Sequence, residues 1–254
     1  MGIKFGNCSH QGDREYQEDS FGFSNIIDSD IVNEKGFAAV LADGMGGLAN
    51  GREISEYAVT SFIGMFNALD YAIPFHSQLE SIVEKINESA IEKFSIGGAV
   101  MAGSTLAAVF VYNAELYWIC VGDSRLYLMR NGRLHAVNED HDYFNQLLPE
   151  YMSDCLNIDE IMADMQRDNL TSYIGNNKLP YIDANRIGFP LKNGDMLVLC
   201  SDGVYGNITG AEIIDILRSD EPQTACERIV QAVLNKNTAG QDNLTVIIIK
   251  IEEE

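Results

Sequence analysis

Seven short apolar runs, each bounded by Gly, Asn or Asp, limit what this chain can fold into more than any other feature. They lie at Asp19–Asn25, Phe37–Ala42, Ser104–Tyr112, Leu116–Val121, Arg125–Met129, Met196–Cys200 and Leu244–Ile251. Runs this short with such flanks predict β-strands. Asn113-Ala114, Gly122-Asp123 and Asn131-Gly132 predict hairpin turns, Asn-Gly being the strongest such signal. Helical spacing occupies Glu53–Leu69 and Gln78–Phe94, then Ala211–Leu217 and Thr224–Leu234, with Thr209 a candidate cap for the third helix. Clustered strands with helices in separate pairs indicate an α+β fold rather than repeating βαβ units. The stretch 141–181 carries mixed signals. No repeat, low-complexity tract or Pro/Ser linker divides the 254 residues, so one domain, 1–254, is expected.

Charge narrows the functional classes. Against 38 acidic residues stand 17 Lys and Arg, a formal charge of −21. Such a surface repels nucleic acid and anionic lipid, so neither is an expected partner. It also repels phosphate anions, unless bound cations reverse the sign locally. No apolar run approaches the roughly 20 residues of a membrane helix. The opening MGIKFGNCSHQGD lacks a signal-peptide core, and Gly2 lacks the Ser or Thr of a myristoylation site. Cys8, Cys120, Cys155, Cys200 and Cys226 are scattered without a CxxC, as expected for a cytoplasmic protein.

The run Phe37–Ala42 stops at an aspartate and dissolves into glycines: VLADGMGGLANGRE. Gly44 to Ala49 satisfies G-x-G-x-x-A, but continuous helix follows where a dinucleotide site needs a second strand ending in an acid. Asp43 would also face a pyrophosphate with the wrong charge. GGLANGRE has the two glycines of a P-loop without its Lys and Ser/Thr. Any one Asp-Gly is also an ordinary turn. The pattern returns, however. Met196–Cys200 leads through Ser201 to Asp202-Gly203, Gly240-Gln241-Asp242-Asn243 opens the last strand, and Val121-Gly122-Asp123-Ser124 joins two others. Four aspartates at strand ends can meet at one rim of a sheet, where unpaired they would repel one another. Divalent cations remove the conflict, and oxygen ligands without a His or Cys cluster favour Mg²⁺ or Mn²⁺ over zinc. Arg14, ahead of Glu18 and Asp19, offers a fork for a phosphate beside those ligands, or else a partner for Asp13, Glu15, Glu18 and Asp19.

With these pieces in order, GDREYQEDS, VLADGMGG, AGSTLAAVFV, CVGDSRLYLMRNG, NEDH, LVLCSDGVYGNIT and GQDNLTVIII, the sequence resembles the metal-dependent protein Ser/Thr phosphatases of the type 2C (PPM) family, and most of all its small bacterial members. The resemblance implies a four-layer αββα sandwich, two antiparallel sheets flanked by helix pairs, with a variable flap at about 142–186. It implies that Asp43 bridges two Mn²⁺ or Mg²⁺ ions, that Asp202 and Asp242 complete one, and that Glu18 and the Gly44 carbonyl hold the other. Asp19 would orient metal-bound water, Arg14 would clamp phosphate, and Asp123 with Asp202 would form a third, weaker site. The implied reaction is attack of a metal-bridging hydroxide on protein phosphoserine or phosphothreonine, by a monomer acting in kinase signalling on a kinase and its substrates. Two alternatives are a regulatory module with dead metal sites and a phosphatase dedicated to a single phosphoprotein. The chain departs from the pattern twice: Met45 stands where animal members carry a His taken to protonate the leaving group, and NLTSYIG lacks an arginine common in bacterial flaps. Asp140-His141 matches a recurring family pair.

Overall fold

The computed structural model describes residues 2–24, 35–46, 50–96, 99–100, 102–152, 162 and 166–253. Its first half runs β1 (Gly2–His10), β2 (Ser20–Phe23), β3 (Phe37–Ala42), β4 (Gly44–Met45), α1 (Asn50–Phe66), α2 (Phe75–Phe94), β5 (Ser95–Ile96), β6 (Ala99–Val100), β7 (Gly103–Ser104), β8 (Leu106–Tyr112) and β9 (Glu115–Val121). There follow β10 (Arg125–Arg130), β11 (Arg133–Ala136), α3 (Tyr143–Met152), β12 (Asp183–Ala184), β13 (Phe189–Pro190), β14 (Met196–Cys200), α4 (Asp202–Tyr205), α5 (Gly210–Ser219), α6 (Pro222–Leu234) and β15 (Leu244–Glu252).

Among the described residues two large antiparallel sheets form, ordered β1-β15-β14-β10-β11 and β12-β9-β8-β3-β2 with β13 also on β9, beside the two-stranded pairs β4-β7 and β5-β6. Alternate residues of each central strand face different cores, which is why the runs are apolar throughout rather than every second residue. Phe37, Ala39 and Leu41 of β3 meet Ile247, Ile249 and Ile251 of β15 between the sheets. Ala38, Val40 and Ala42 turn the other way, onto Ile54, Ala58 and Phe62 of α1 and Leu79, Val83 and Ile86 of α2. Val246 and Ile248 pack outward on Ile213 and Leu217 of α5 and Cys226, Ile229 and Val233 of α6. The layers are therefore helix pair, sheet, sheet, helix pair.

Several local expectations are corrected. Asn113-Ala114 and Asn131-Gly132 do close hairpins, with positive φ at both positions that suits the strand twist. Gly122-Asp123 closes none: β9 and β10 lie in different sheets, so this turn carries the chain across the sandwich. The run Ser104–Tyr112 breaks at Thr105, and Asp19–Asn25 is strand only over Ser20–Phe23, Asn25 falling outside the described residues. The N-terminal strand β1 was not predicted; among the described residues it is an edge strand paired with β15 alone, from Gly2↔Glu252 to His10↔Leu244, and has few apolar positions. Thr209 caps α5 in a full capping box with Glu212, although Gly210 follows it. Within the expected flap, α3, β12 and the segment 166–186 are described, and 153–161 and 163–165 lie outside the described residues.

Candidate metal centre

Strand register brings the predicted acids to one rim. Ser20 pairs Ala42, Leu106 pairs Val121, and Cys200 pairs both Arg125 and Val246. The ends of β3, β9 and β14 and the starts of β2, β10 and β15 therefore coincide. Glu18, Asp19, Asp43, Asp123 and Asp242 sit in the short links just beyond those ends, and Asp202 opens α4 there. Electrostatics shows how close they stand. The Asp43 carboxyl is held well above its usual range by burial and then by Asp19, Asp202, Asp123 and Asp242. Burial pushes Asp123 up to about 7, with Asp202 and Asp140 adding to it. Asp19 rises to about 6 because it is buried, although hydrogen bonds from Thr245 and Ser201 pull it back. Asp202 is raised by burial and then by Asp242.

Hydroxyls and amides that the sequence did not single out fix this rim. The Asp43 N–H donates to Thr105 Oγ1 at 2.8 Å and its carbonyl accepts the Thr105 N–H at 2.9 Å, which is why the run containing Thr105 breaks there. Thr105 Oγ1 lies 2.6 Å from Ser124 Oγ, tying the turn after Asp123 to the same point. Asn243 Oδ1 accepts the Glu18 N–H at 2.7 Å, while its Nδ2 donates to the carbonyls of Gln11 and Tyr16. Ser201 Oγ donates to Asp19 Oδ2 at 2.8 Å. The glycines serve close approach: a Cβ on Gly44 would stand 2.3 Å from the Gly51 carbonyl and 2.6 Å from the Glu18 carbonyl. Gly51 would in turn strike Glu18 Oε1 at 2.4 Å. Helix α1 thus starts against the Glu18 carboxylate, with the Gly51 and Arg52 amides turned to it.

Two carboxylate oxygens here, Glu18 Oε1 and Asp19 Oδ1, are buried without a hydrogen-bond partner. A buried anionic acceptor left unmatched is costly, and an ion is one way to match it. Among the described residues no three His, Cys, Asp or Glu side chains are grouped so as to hold an ion as they stand. Asp242 is turned aside to Arg14, whose Nη2 lies 2.6 Å from Asp242 Oδ2. The donor set is oxygen only, anionic and self-repelling, and so it fits a hard divalent ion.

The family model for protein phosphatase 2C matches residues 8–244. The chain belongs to the protein phosphatase 2C family. Protein phosphatase PhpP of Streptococcus pneumoniae is 30% identical over 223 residues, covering 85% of this chain and 86% of that protein. The S. agalactiae serine/threonine phosphatase structure superposes with a TM-score of 0.85 at 24% identity, covering 99% of this chain and all of that one, which establishes the αββα sandwich. The catalytic domain of the phosphatase PstP, solved with two manganese ions, matches at a TM-score of 0.76 and 22% identity over 99% of each chain.

Within this phosphatase 2C rim, Met45 holds the position next to Gly44 and pairs with Gly103 across β4 and β7. His141 is buried, its Nδ1 accepting the Gly122 N–H at 3.1 Å, so its ring supports the crossover turn. His10 and His135 are exposed. Cys120, Cys200 and Cys226 are buried, and burial raises the Cys200 thiol to about 12. None of these three is an available nucleophile.

Proposed function

We propose that this phosphatase 2C chain hydrolyses phosphoserine and phosphothreonine in proteins with two Mn²⁺ or Mg²⁺ ions, and a third more weakly held. Family membership supports the enzyme class. The observation that carries the metal reading is the rim of mutually destabilised carboxylates with two orphaned oxygens. Asp43 would be shared by two ions, with Asp202 and Asp242 on one and Glu18 and the Gly44 carbonyl on the other. Asp123 would join Asp202 on the third. When bound, such ions acidify water at neutral pH and neutralise phosphoryl charge.

The remaining steps belong to the chain. Asp19, anchored by Ser201, orients water at the rim. With Asp242 engaged in holding an ion, the Arg14 guanidinium would be released from it to grip two oxygens of the phosphoryl group and steady the charge that builds there. Met45 has no proton to donate, so the leaving alkoxide takes its proton from water at the rim. The acidic exterior suits phosphoproteins with basic flanks, a kinase and its substrates among them. No described helix is long and apolar enough to cross a membrane.

Turnover of a phosphothreonine peptide tests this reading. EDTA is expected to abolish it and added Mn²⁺ to restore it. Asp43→Asn is expected to fall to background while staying folded, because the change relieves repulsion. Full activity of Asp43→Asn in Mn²⁺ would remove the two-ion assignment, and a chain inactive on every phosphopeptide and on p-nitrophenyl phosphate would favour the regulatory module.

A further inference from the structure

The Asp140-His141 pair and the side chains around Asp123 form a cluster that the reaction derived above leaves unused. Gly122 and Asp123 carry the chain from one sheet to the other, so no strand ladder holds them. Two ties do. The first is to the backbone: His141 Nδ1 accepts the Gly122 N–H at 3.1 Å, and the His141 N–H donates to the Gly122 carbonyl at 3.0 Å. The second reaches the side chain. The Tyr205 hydroxyl donates to Asp123 Oδ2 at 3.2 Å.

That phenol is itself held in place. The Arg125 guanidinium lies over the Tyr205 ring, 3.7 Å from its centroid. Its Nε and Nη2 give the Asp140 carboxylate hydrogen bonds of 2.6–3.1 Å. A continuous line therefore runs Asp140, Arg125, Tyr205, Asp123. Tyr205 also ends the helical turn that Asp202 begins, and residues three apart share a helix face. One turn of helix so directs Asp202 and the hydroxyl that holds Asp123 to the same place. A phenol ionises near pH 10, so Tyr205 stays a donor at neutral pH. Its bond occupies Oδ2 and leaves Oδ1 free of it, the arrangement by which outer hydrogen bonds orient a ligating carboxylate.

We propose that Tyr205 is the positioning residue for Asp123: its hydroxyl, braced by Arg125 and Asp140, sets that carboxylate as a ligand of the third and weakest divalent cation. The proposal rests on the metal reading above. Calorimetric titration of the metal-free full chain with Mn²⁺ tests it. Tyr205→Phe keeps a ring under Arg125, so the metal-free melting temperature should hold. The weakest site should lose about 10-fold in affinity, the lower end of what outer-shell changes cost, with the tighter sites unchanged. Asp123→Ala should remove the weakest site. If Asp123→Ala removes it and Tyr205→Phe titrates like the parent, the role of Tyr205 is overturned and the metal reading stands. If Asp123→Ala also titrates like the parent, the third site and the role of Tyr205 fall together. Should Tyr205→Phe fail to fold, Arg125→Lys carries the test: it keeps a cation by the ring but loses the fork to Asp140. A several-fold loss at the weakest site is expected of it, and parent-like binding would overturn the proposal.

Discussion

Arg14 shows how one side chain holds two readings. In the structure it pairs with Asp242 across 228 residues of sequence, not with the acids beside it, Asp13, Glu15, Glu18 or Asp19. More than half of its side chain is exposed, and an ion pair that open contributes little to stability. What the pair does show is reach: the guanidinium extends to the carboxylate assigned to a cation, where a substrate's phosphoryl oxygens would lie. Arg14→Ala is therefore expected to raise KM for phosphopeptides about tenfold or more, as for the loss of a charged hydrogen bond worth roughly 1.5–3 kcal/mol. It should also weaken inhibition by inorganic phosphate and leave the melting temperature within a degree or two. A changed melting temperature with unchanged KM would make Arg14 a structural ion pair. His141 is settled differently. Its ring is buried, burial lowers its pKa, and Nδ1 is already an acceptor, so its service is to the Gly122 turn.

Element packing explains residues that no chemistry requires. Strand β1 lies so close to helix α6 that a Cβ on Gly6 would stand 2.4 Å from both the Cα and the N of Gln223. Backbone cannot fold aside as a long side chain can. Gly6→Ala is expected to push α6 from the sheet and cost about 2 kcal/mol, the usual scale of overpacking, as read from urea unfolding; parent-like stability would mean that α6 slides freely over β1. The same contact accounts for Asn7, whose N–H and carbonyl both bond the Gln223 side chain. A similar approach sets Gly203, where a Cβ would meet the Asn243 carbonyl at 2.1 Å. The Asp-Gly and Asp-Asn motifs at the two strand ends thus share one contact.

For the whole molecule, the rim is a charge reservoir that couples stability to pH and metal. Asp19 near 6 and Asp123 near 7 lie above the roughly 3.9 of an unfolded aspartate. The folded chain then binds more protons than the unfolded one, so stability falls as pH rises. The contribution is full below about 4 and is lost progressively through 6 to 7. EDTA-treated protein is expected to melt higher at pH 5.5 than at pH 7.5, and saturating Mn²⁺ should cancel or reverse the difference, because cations replace protons at the carboxylates. Melting scans at both pH values, with and without metal, check this. A metal-free protein that is more stable at pH 7.5 would show that a group such as His141, whose buried ring takes up a proton less readily than in the unfolded chain, outweighs the rim.

Much of this was legible in the sequence because it is local. Apolar runs between turn residues mark strands, periodic stripes mark helices, and Asp-Gly at a strand end marks a candidate ligand whatever lies across the fold. Six acids, Arg14 and the layer order followed from such signals and from the ordered motifs. What tertiary structure decided depends on contacts between distant segments. The crossover at Gly122-Asp123 looked like a hairpin because a turn's residues do not say which sheet the next strand joins. Edge strand β1 went unread because pairing on one side asks for few apolar side chains. Thr105, Ser124, Ser201, Asn243 and Tyr205 are ordinary polar residues in the chain. They matter only because the fold brings them to the acids, and hydrogen bonds formed across separations that range from 19 to 225 residues leave no periodicity to read.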